Sequence, residues 1–187
     1  MKTQSISSIS FVADLSASKR AASILILALI TGLSAMVKIP LGFTPVPISL
    51  QTAVVLAGAL WLGRDAVWAQ LVYLLLGCVG LPFFTTDLHG VQVLYGPTGG
   101  YLVGFVAASY VCAKWIRPQW ETVRPLERYA MLLACSMLFF IPGVIQLSLF
   151  LNISMAKAMA LGFAPFVVGD LIKTALVSAT PSSAMIR

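Results

Sequence analysis

Six long apolar runs, separated by short polar or proline-containing breaks, constrain this chain more than any other feature of its sequence. A membrane-spanning helix needs roughly 17 to 25 mainly apolar residues, and each run is about that long. Only 10% of the residues are charged, whereas a soluble domain carries about 25%. The sequence therefore predicts an all-α integral membrane protein with six transmembrane helices, at 21–37, 46–62, 66–82, 98–115, 129–151 and 164–180.

The segments between the runs indicate the domain organisation. Lys38 to Pro47 contains three prolines, and each disfavours a helical conformation of the residue before it, so we predict a loop. Gly63-Arg64-Asp65 is a short polar turn that makes the second and third spans antiparallel. Residues 152–163 are mildly amphipathic and are predicted to lie along the membrane interface. We divide the chain into a cytoplasmic N-terminal segment (1–20), one six-helix transmembrane domain (21–180) and a cytoplasmic tail (181–187).

The basic residues orient the spans. Six spans place both termini on one side, and if that side is cytoplasmic, it receives nine of the twelve Lys and Arg residues. Lys38 and Lys157 then face outward, and Lys173 lies within the sixth span. Because cytoplasmic loops are enriched in Lys and Arg, both termini are predicted to be inside. The nine residues are Lys2, Lys19, Arg20, Arg64, Lys114, Arg117, Arg124, Arg128 and Arg187.

Asp170 and Lys173 are the most informative pair for function. An ionisable side chain within a span costs roughly 2.5 to 3.5 kcal/mol on insertion scales and usually marks a substrate or ion path. A spacing of three residues places both on one helix face. An ionised Asp only accepts hydrogen bonds and Lys only donates them, so a ligand with N–H groups at one end and an anion at the other would satisfy both. The alternative is a neutralising ion pair that only holds the bundle together.

Other unusual residues gather at the same predicted outer end, which suggests an outward-facing ligand pocket. The glycines there allow close approach of either a ligand or a neighbouring helix, and a tyrosine at this depth can also anchor a helix at the interface. The further candidate binding residues are Thr44, Pro45, Val46, Gln51, Asp87, Gly96, Gly99, Gly100 and Tyr101.

The sequence indicates no metal site, cofactor site or catalytic centre. His89, the only histidine, shares a loop with Asp87, and we interpret it as a solvated residue. Cys78, Cys112 and Cys135 lie in apolar segments without metal-ligand spacing, and we interpret them as packing residues. A membrane enzyme would need a nucleophile and a base at membrane depth, but the chain has no G-x-S-x-G motif, no histidine in a span and no paired carboxylates.

Four motifs in a fixed order resemble those of the BioY family, the biotin-binding S components of energy-coupling factor (ECF) transporters. They are TPVPISLQT (44–52), LVYLLLGCVGLP (71–82), YGPTGGYLVGF (95–105) and PFVVGDLIK (165–173). The resemblance implies six helices that enclose one biotin near the outer face. It also implies that Asp170 accepts from the ureido N–H, that Lys173 pairs with the valerate carboxylate, and that residues 44–48 form a lid. Family members often carry an Asn or Arg in the third outer loop, where Asp87, His89 or Gln92 could substitute here.

The function implied by the resemblance is high-affinity biotin uptake across the cytoplasmic membrane of a prokaryote. The chain has no G-x-x-x-x-G-K-[ST] phosphate loop, so the resemblance implies a separate transmembrane coupling subunit and two ATPase subunits. Ala28 and Gly32 form a small-residue face on the first span that, with Ala21, could dock the coupling subunit or serve internal packing.

Three alternatives remain open at the level of sequence. The chain could be an S component for another small carboxylate vitamin, or a solitary biotin carrier without an ATPase module. It could also be a non-binding scaffold, in which case exchanging the positions of Asp170 and Lys173 should be tolerated. The binding hypothesis predicts that the exchange abolishes function.

Overall fold

The computed structural model describes residues 17–86, 88 and 90–186, and this part of the chain is almost entirely helical. Two short strands, β1 (Lys38–Ile39) and β2 (Ile48–Ser49), pair in antiparallel register. The helices are α1 (Ala17–Ser34), α2 (Gln51–Leu62), α3 (Asp65–Cys78), α4 (Gln92–Tyr95), α5 (Gly99–Val111), α6 (Pro125–Leu151), α7 (Met155–Gly162) and α8 (Val167–Ser178). A π-helical turn (Cys112–Ile116) and a 3-10 turn (Arg117–Gln119) continue α5.

Four of the helical stretches are long and apolar enough to cross a membrane: Ala17–Ser34, Gly99–Gln119, Pro125–Leu151 and Met155–Ser178. The helices α2 and α3 are apolar but have only 12 and 14 residues, or about 18 and 21 Å of helix against a hydrocarbon core of about 30 Å. The predicted second span begins late because Pro47 and strand β2 precede Gln51. The helical membrane class is confirmed, and helix length alone supports four of the six predicted spans.

The outer surface of the bundle is apolar. Trp68, Leu75, Val103, Ile141 and Leu176 each expose between 57% and 71% of their surface. Apolar exposure of this extent, spread over several helices, suits contact with lipid rather than water. The chain is therefore a multi-pass membrane protein.

The connections gather at two ends of the bundle. We call one the hairpin end, because it holds the β1–β2 hairpin, the described residues of the segment 79–98 and the link between α6 and α7. The other, the charged end, holds the turn between α2 and α3 and residues 117–124. There Arg117 Nε donates to the Leu60 carbonyl at 2.8 Å, and Arg20 Nε donates to Asp65 Oδ2 at 2.7 Å. These contacts tie the helix ends to one another.

The backbones of α5 and α6 are in direct contact. A Cβ atom at Gly100 would lie 2.1 Å from the Pro142 carbonyl oxygen, and one at Gly104 would lie 2.5 Å from the Leu138 carbonyl oxygen. Small residues allow this approach between membrane helices. Gly100, one of the candidate binding residues, thus packs directly against the backbone of α6.

Candidate ligand-binding site

A narrow cavity opens near the hairpin end, between that hairpin and helices α2, α5, α6 and α8. Its empty space is about 490 Å³ with the solvent at its mouth included. Val46, Gln51, Tyr101, Asp170 and Lys173, all predicted from the sequence, line it together. The other lining residues are Pro47, Ser49, Thr52, Thr85, Thr98, Leu102, Phe105, Phe140 and Phe166.

A break in the last helical stretch places Asp170 and Lys173 near the start of α8. Helix α7 ends at Gly162, a 3-10 turn that includes Pro165 follows, and α8 starts at Val167. Asp170 consequently lies in the first turn of α8, where the aligned peptide dipoles at a helix N-terminus stabilise negative charge. Its residue surface is only 3% exposed. Discontinuous helices supply substrate sites in many transporters for this reason.

Lys173 connects α8 to the neighbouring elements. Its Nζ lies 3.6 Å from Asp170 Oδ1, donates to Thr52 Oγ1 at 2.7 Å and donates to the Ser49 carbonyl at 3.1 Å. The other carboxylate oxygen, Asp170 Oδ2, is buried and has no hydrogen-bond partner among the described residues. A buried carboxylate oxygen without a donor is costly, so this atom is positioned to accept a hydrogen bond from a ligand.

Gln51 and Tyr101 are held in place by hydrogen bonds within the chain. Gln51 Nε2 donates to the Tyr73 hydroxyl oxygen at 2.7 Å and to the Thr31 carbonyl at 3.3 Å. The Tyr101 hydroxyl donates to the Gly162 carbonyl at 2.7 Å. The Tyr101 ring therefore contributes cavity wall, while its hydroxyl joins α5 to the end of α7.

Four aromatic residues form much of the cavity wall: Tyr101, Phe105, Phe140 and Phe166. The Tyr101 and Phe140 rings meet edge to face, with centroids 6.2 Å apart, and the centroids of Phe140 and Phe166 are also 6.2 Å apart. The site thus combines an aromatic wall with a carboxylate acceptor and an ammonium donor. Such a cavity suits a small amphipathic ligand with N–H groups and an anionic end.

The three phenylalanines were not predicted from the sequence. Two of them had a readable signal, because Phe105 lies four residues after Tyr101 and Phe166 lies four residues before Asp170, which places each pair on one helix face. Phe140 lies in a continuous apolar run, where periodicity does not distinguish one face from another.

The remaining predicted binding residues that the structure describes lie outside this cavity. Thr44 and Pro45 line a neighbouring cavity at the hairpin end. At Gly96 a Cβ atom would meet Leu88 at 2.6 Å, and at Gly99 it would lie 2.1 Å from the Leu94 carbonyl oxygen. These glycines, like Gly100, serve close packing within the chain. Asp87 and His89 lie outside the described residues.

The predicted docking face on α1 is largely covered by the chain itself. Ala28 is fully buried, and a Cβ atom at Gly32 would lie 2.4 Å from the Phe83 ring. These two residues are engaged in internal packing, which the sequence had left as an alternative. Ala21 is exposed.

The chain is similar to proteins of one family over nearly its whole length. The model of the BioY family matches residues 2–185. "Biotin transporter BioY2" of Lactococcus lactis subsp. cremoris is 36% identical over 141 residues, which are 75% of each chain. "Biotin transporter BioY" of Thermotoga maritima is 38% identical over 144 residues, 74% of this chain and 79% of that protein.

A crystal structure has the same fold. It is described as "the S-component for biotin from an ECF-type ABC transporter", and it superimposes with a TM-score of 0.78 at 20% sequence identity, over 99% of this chain and 100% of that chain. The order and arrangement of the helices are therefore those of a known S component.

Proposed function

Because the chain belongs to the BioY family, we propose that it captures biotin as the substrate-binding S component of an ECF transporter. It is a transporter subunit and not an enzyme. The observation that carries the choice of ligand is the pairing of Asp170 Oδ2, buried and without a donor among the described residues, with the Lys173 ammonium in one cavity. The names of the relatives support the same ligand.

The functional groups of biotin are complementary to the side chains that line the cavity. Its ureido ring offers N–H donors to Asp170 Oδ2, and its valerate carboxylate accepts from Lys173. Its thioether ring and methylene chain are apolar and suit the wall of Tyr101, Phe105 and Phe140. No metal or cofactor is required for these contacts, and biotin itself is the transported ligand.

We further propose six spans with both termini in the cytoplasm and the cavity open to the outside. The helices α2 and α3 would cross together with their flanking residues. Support comes from the charge distribution, because Arg20, Arg64 and Arg117 lie at the charged end, whereas Lys38 and Lys157 lie at the hairpin end. This asymmetry matches the positive-inside rule. Residues 21–180 would then form the single transmembrane domain, in the cytoplasmic membrane of a prokaryote.

A role as the S component of an ECF transporter implies partner subunits. An S component of this kind delivers its ligand through a transmembrane coupling subunit that is driven by two ATPase subunits. Transport by the S component alone is the alternative, and uptake of labelled biotin by cells that express this chain with or without such subunits separates the two. Uptake only in the presence of the subunits would support the complete transporter.

Equilibrium binding tests the proposal most directly. The purified protein in detergent, without partner subunits, should bind radiolabelled biotin saturably, and excess unlabelled biotin should displace it. The matched control is Lys157→Gln, a neutralised lysine on the exposed part of α7, which should bind as the wild type does. Displacement by another carboxylate vitamin at similar concentration would indicate a different substrate. Lack of binding by a folded sample would refute the proposal.

A further inference from the structure

A second cavity adjoins the ligand site at the hairpin end. Its empty space is about 940 Å³ with open solvent included, and loop residues line most of it, among them Pro40, Thr44 and Leu88. It shares Pro47 and Thr85 with the ligand cavity. Because the ligand cavity extends from these shared residues to helix residues deeper in the bundle, the second cavity lies on the entrance side. We call it the vestibule.

Lys38 is the cation in the described lining of the vestibule. Its Nζ donates to the Thr85 carbonyl at 2.6 Å, which holds the ammonium group at the boundary between the two cavities because Thr85 lines both. A carbonyl takes up one of the three N–H donors of an ammonium group. Lys38 thus presents positive charge beside the cavity that holds Asp170 and Lys173.

The hairpin connects this lysine to the one in the ligand cavity. Lys38 on β1 pairs with Ser49 on β2, and the Ser49 carbonyl accepts from Lys173 Nζ at 3.1 Å. The two lysines are therefore linked through one residue pair of the hairpin, and the two cavities that they line meet at Pro47 and Thr85.

We propose that the vestibule is a first binding site for the carboxylate of the incoming ligand, with Lys38 as its cation. The ligand class is a small monocarboxylate, so the inference rests on the proposed function and deepens it. A charge at the rim of a site acts mainly on the association rate and its salt dependence, because it attracts the ligand before the closer contacts form. A purely structural Lys38, which only fastens the hairpin to Thr85, would affect charged and neutral ligands alike.

Association kinetics of biotin and of the neutral biotin amide separate these roles. The rates should be measured by stopped flow in low and high salt for the wild type, Lys38→Gln, Lys38→Arg and the control Lys157→Gln. In low salt, Lys38→Gln should slow biotin about threefold, the ratio expected for one unit charge pair at about 6 Å in water. The amide rate should not change, and Lys38→Arg should restore the biotin rate.

Two results would overturn the inference and leave the proposed function standing. An equal slowing of acid and amide by Lys38→Gln would assign the residue a structural role, and an unchanged biotin rate would remove it from the entry path. In both cases biotin still binds the wild type, so the proposed function stands. A folded wild-type protein that binds no biotin would overturn the proposed function and this inference together.

Discussion

Replacing Lys173 by glutamine removes the cation on which the binding hypothesis depends. The side chains of Lys173 and Asp170 are 12% and 5% exposed and lie 3.6 Å apart, so their attraction is about 5 kcal/mol at an effective dielectric constant of 20. A ligand carboxylate at a similar distance would gain a comparable attraction, part of which is lost to desolvation. Loss of one partner of such a buried pair costs about 2 to 5 kcal/mol.

A cost of about 2 to 5 kcal/mol for the loss of Lys173 corresponds to a roughly 30- to 4,000-fold increase in the Kd for biotin. The assay is competition against radiolabelled biotin in detergent, with biotin and biotin amide measured on the wild type and on Lys173→Gln. Biotin should lose far more affinity than the amide, because the amide carries no charge for Lys173 to bind. Equal losses for the two ligands would refute the assignment of Lys173 to the carboxylate.

Stability has to be followed in the same samples, because Lys173→Gln leaves the buried Asp170 carboxylate without its cation. We expect the variant to melt at a lower temperature than the wild type. The double variant Asp170→Asn/Lys173→Gln leaves no unpaired charge and should recover most of that stability without recovering affinity. A double variant that bound biotin as tightly as the wild type would show that the pair serves only the bundle.

Two further variants test the packing around the site. Gly100→Ala should destabilise the protein by about 2 to 3 kcal/mol, because the new Cβ would lie 2.1 Å from the Pro142 carbonyl oxygen. The control Gly42→Ala, whose Cβ meets nothing within 4 Å, should change stability by less than about 0.5 kcal/mol. Thermal unfolding in detergent measures both variants, and equal melting temperatures would contradict the close contact at Gly100. Tyr101→Phe removes the hydroxyl that donates to the Gly162 carbonyl, so it should cost about 1 to 2 kcal/mol of stability. The Kd for biotin should stay within about twofold of the wild-type value. A large loss of affinity would show that the hydroxyl contacts the ligand instead.

The charged pair could be predicted from the sequence because intramembrane ionisable residues are rare and their spacing fixes their relative position. Asp170 and Lys173 stand out in an apolar run, and a separation of three residues is enough to place them on one face. What the sequence could not provide was the pairing partner from elsewhere in the chain. Ser49 and Thr52 receive the Lys173 hydrogen bonds only because strand β2 and the start of α2 lie beside α8.

The glycines illustrate the opposite case. Gly99 and Gly100 could admit a ligand or a helix, and sequence alone does not weigh one against the other, since both need the same absence of a side chain. The two roles are distinguished by the distance from a Cβ atom placed on Gly99 or Gly100 to the backbone of Leu94 or Pro142. That distance depends on tertiary packing. The β1–β2 hairpin escaped prediction for a related reason, because two-residue strands have no measurable alternation.

The glycine contact between α5 and α6 has a mechanical consequence. Two helices in backbone contact cannot slide or separate without losing that packing, so Tyr101, Phe105 and Phe140 keep their mutual positions and move as one rigid plate. Asp170 lies on the other side of a helix break that includes Pro165, and such breaks are where a chain bends. One side of the cavity is thus a rigid pair of helices, and the side that carries Asp170 is attached to the rest of the chain across a helix break.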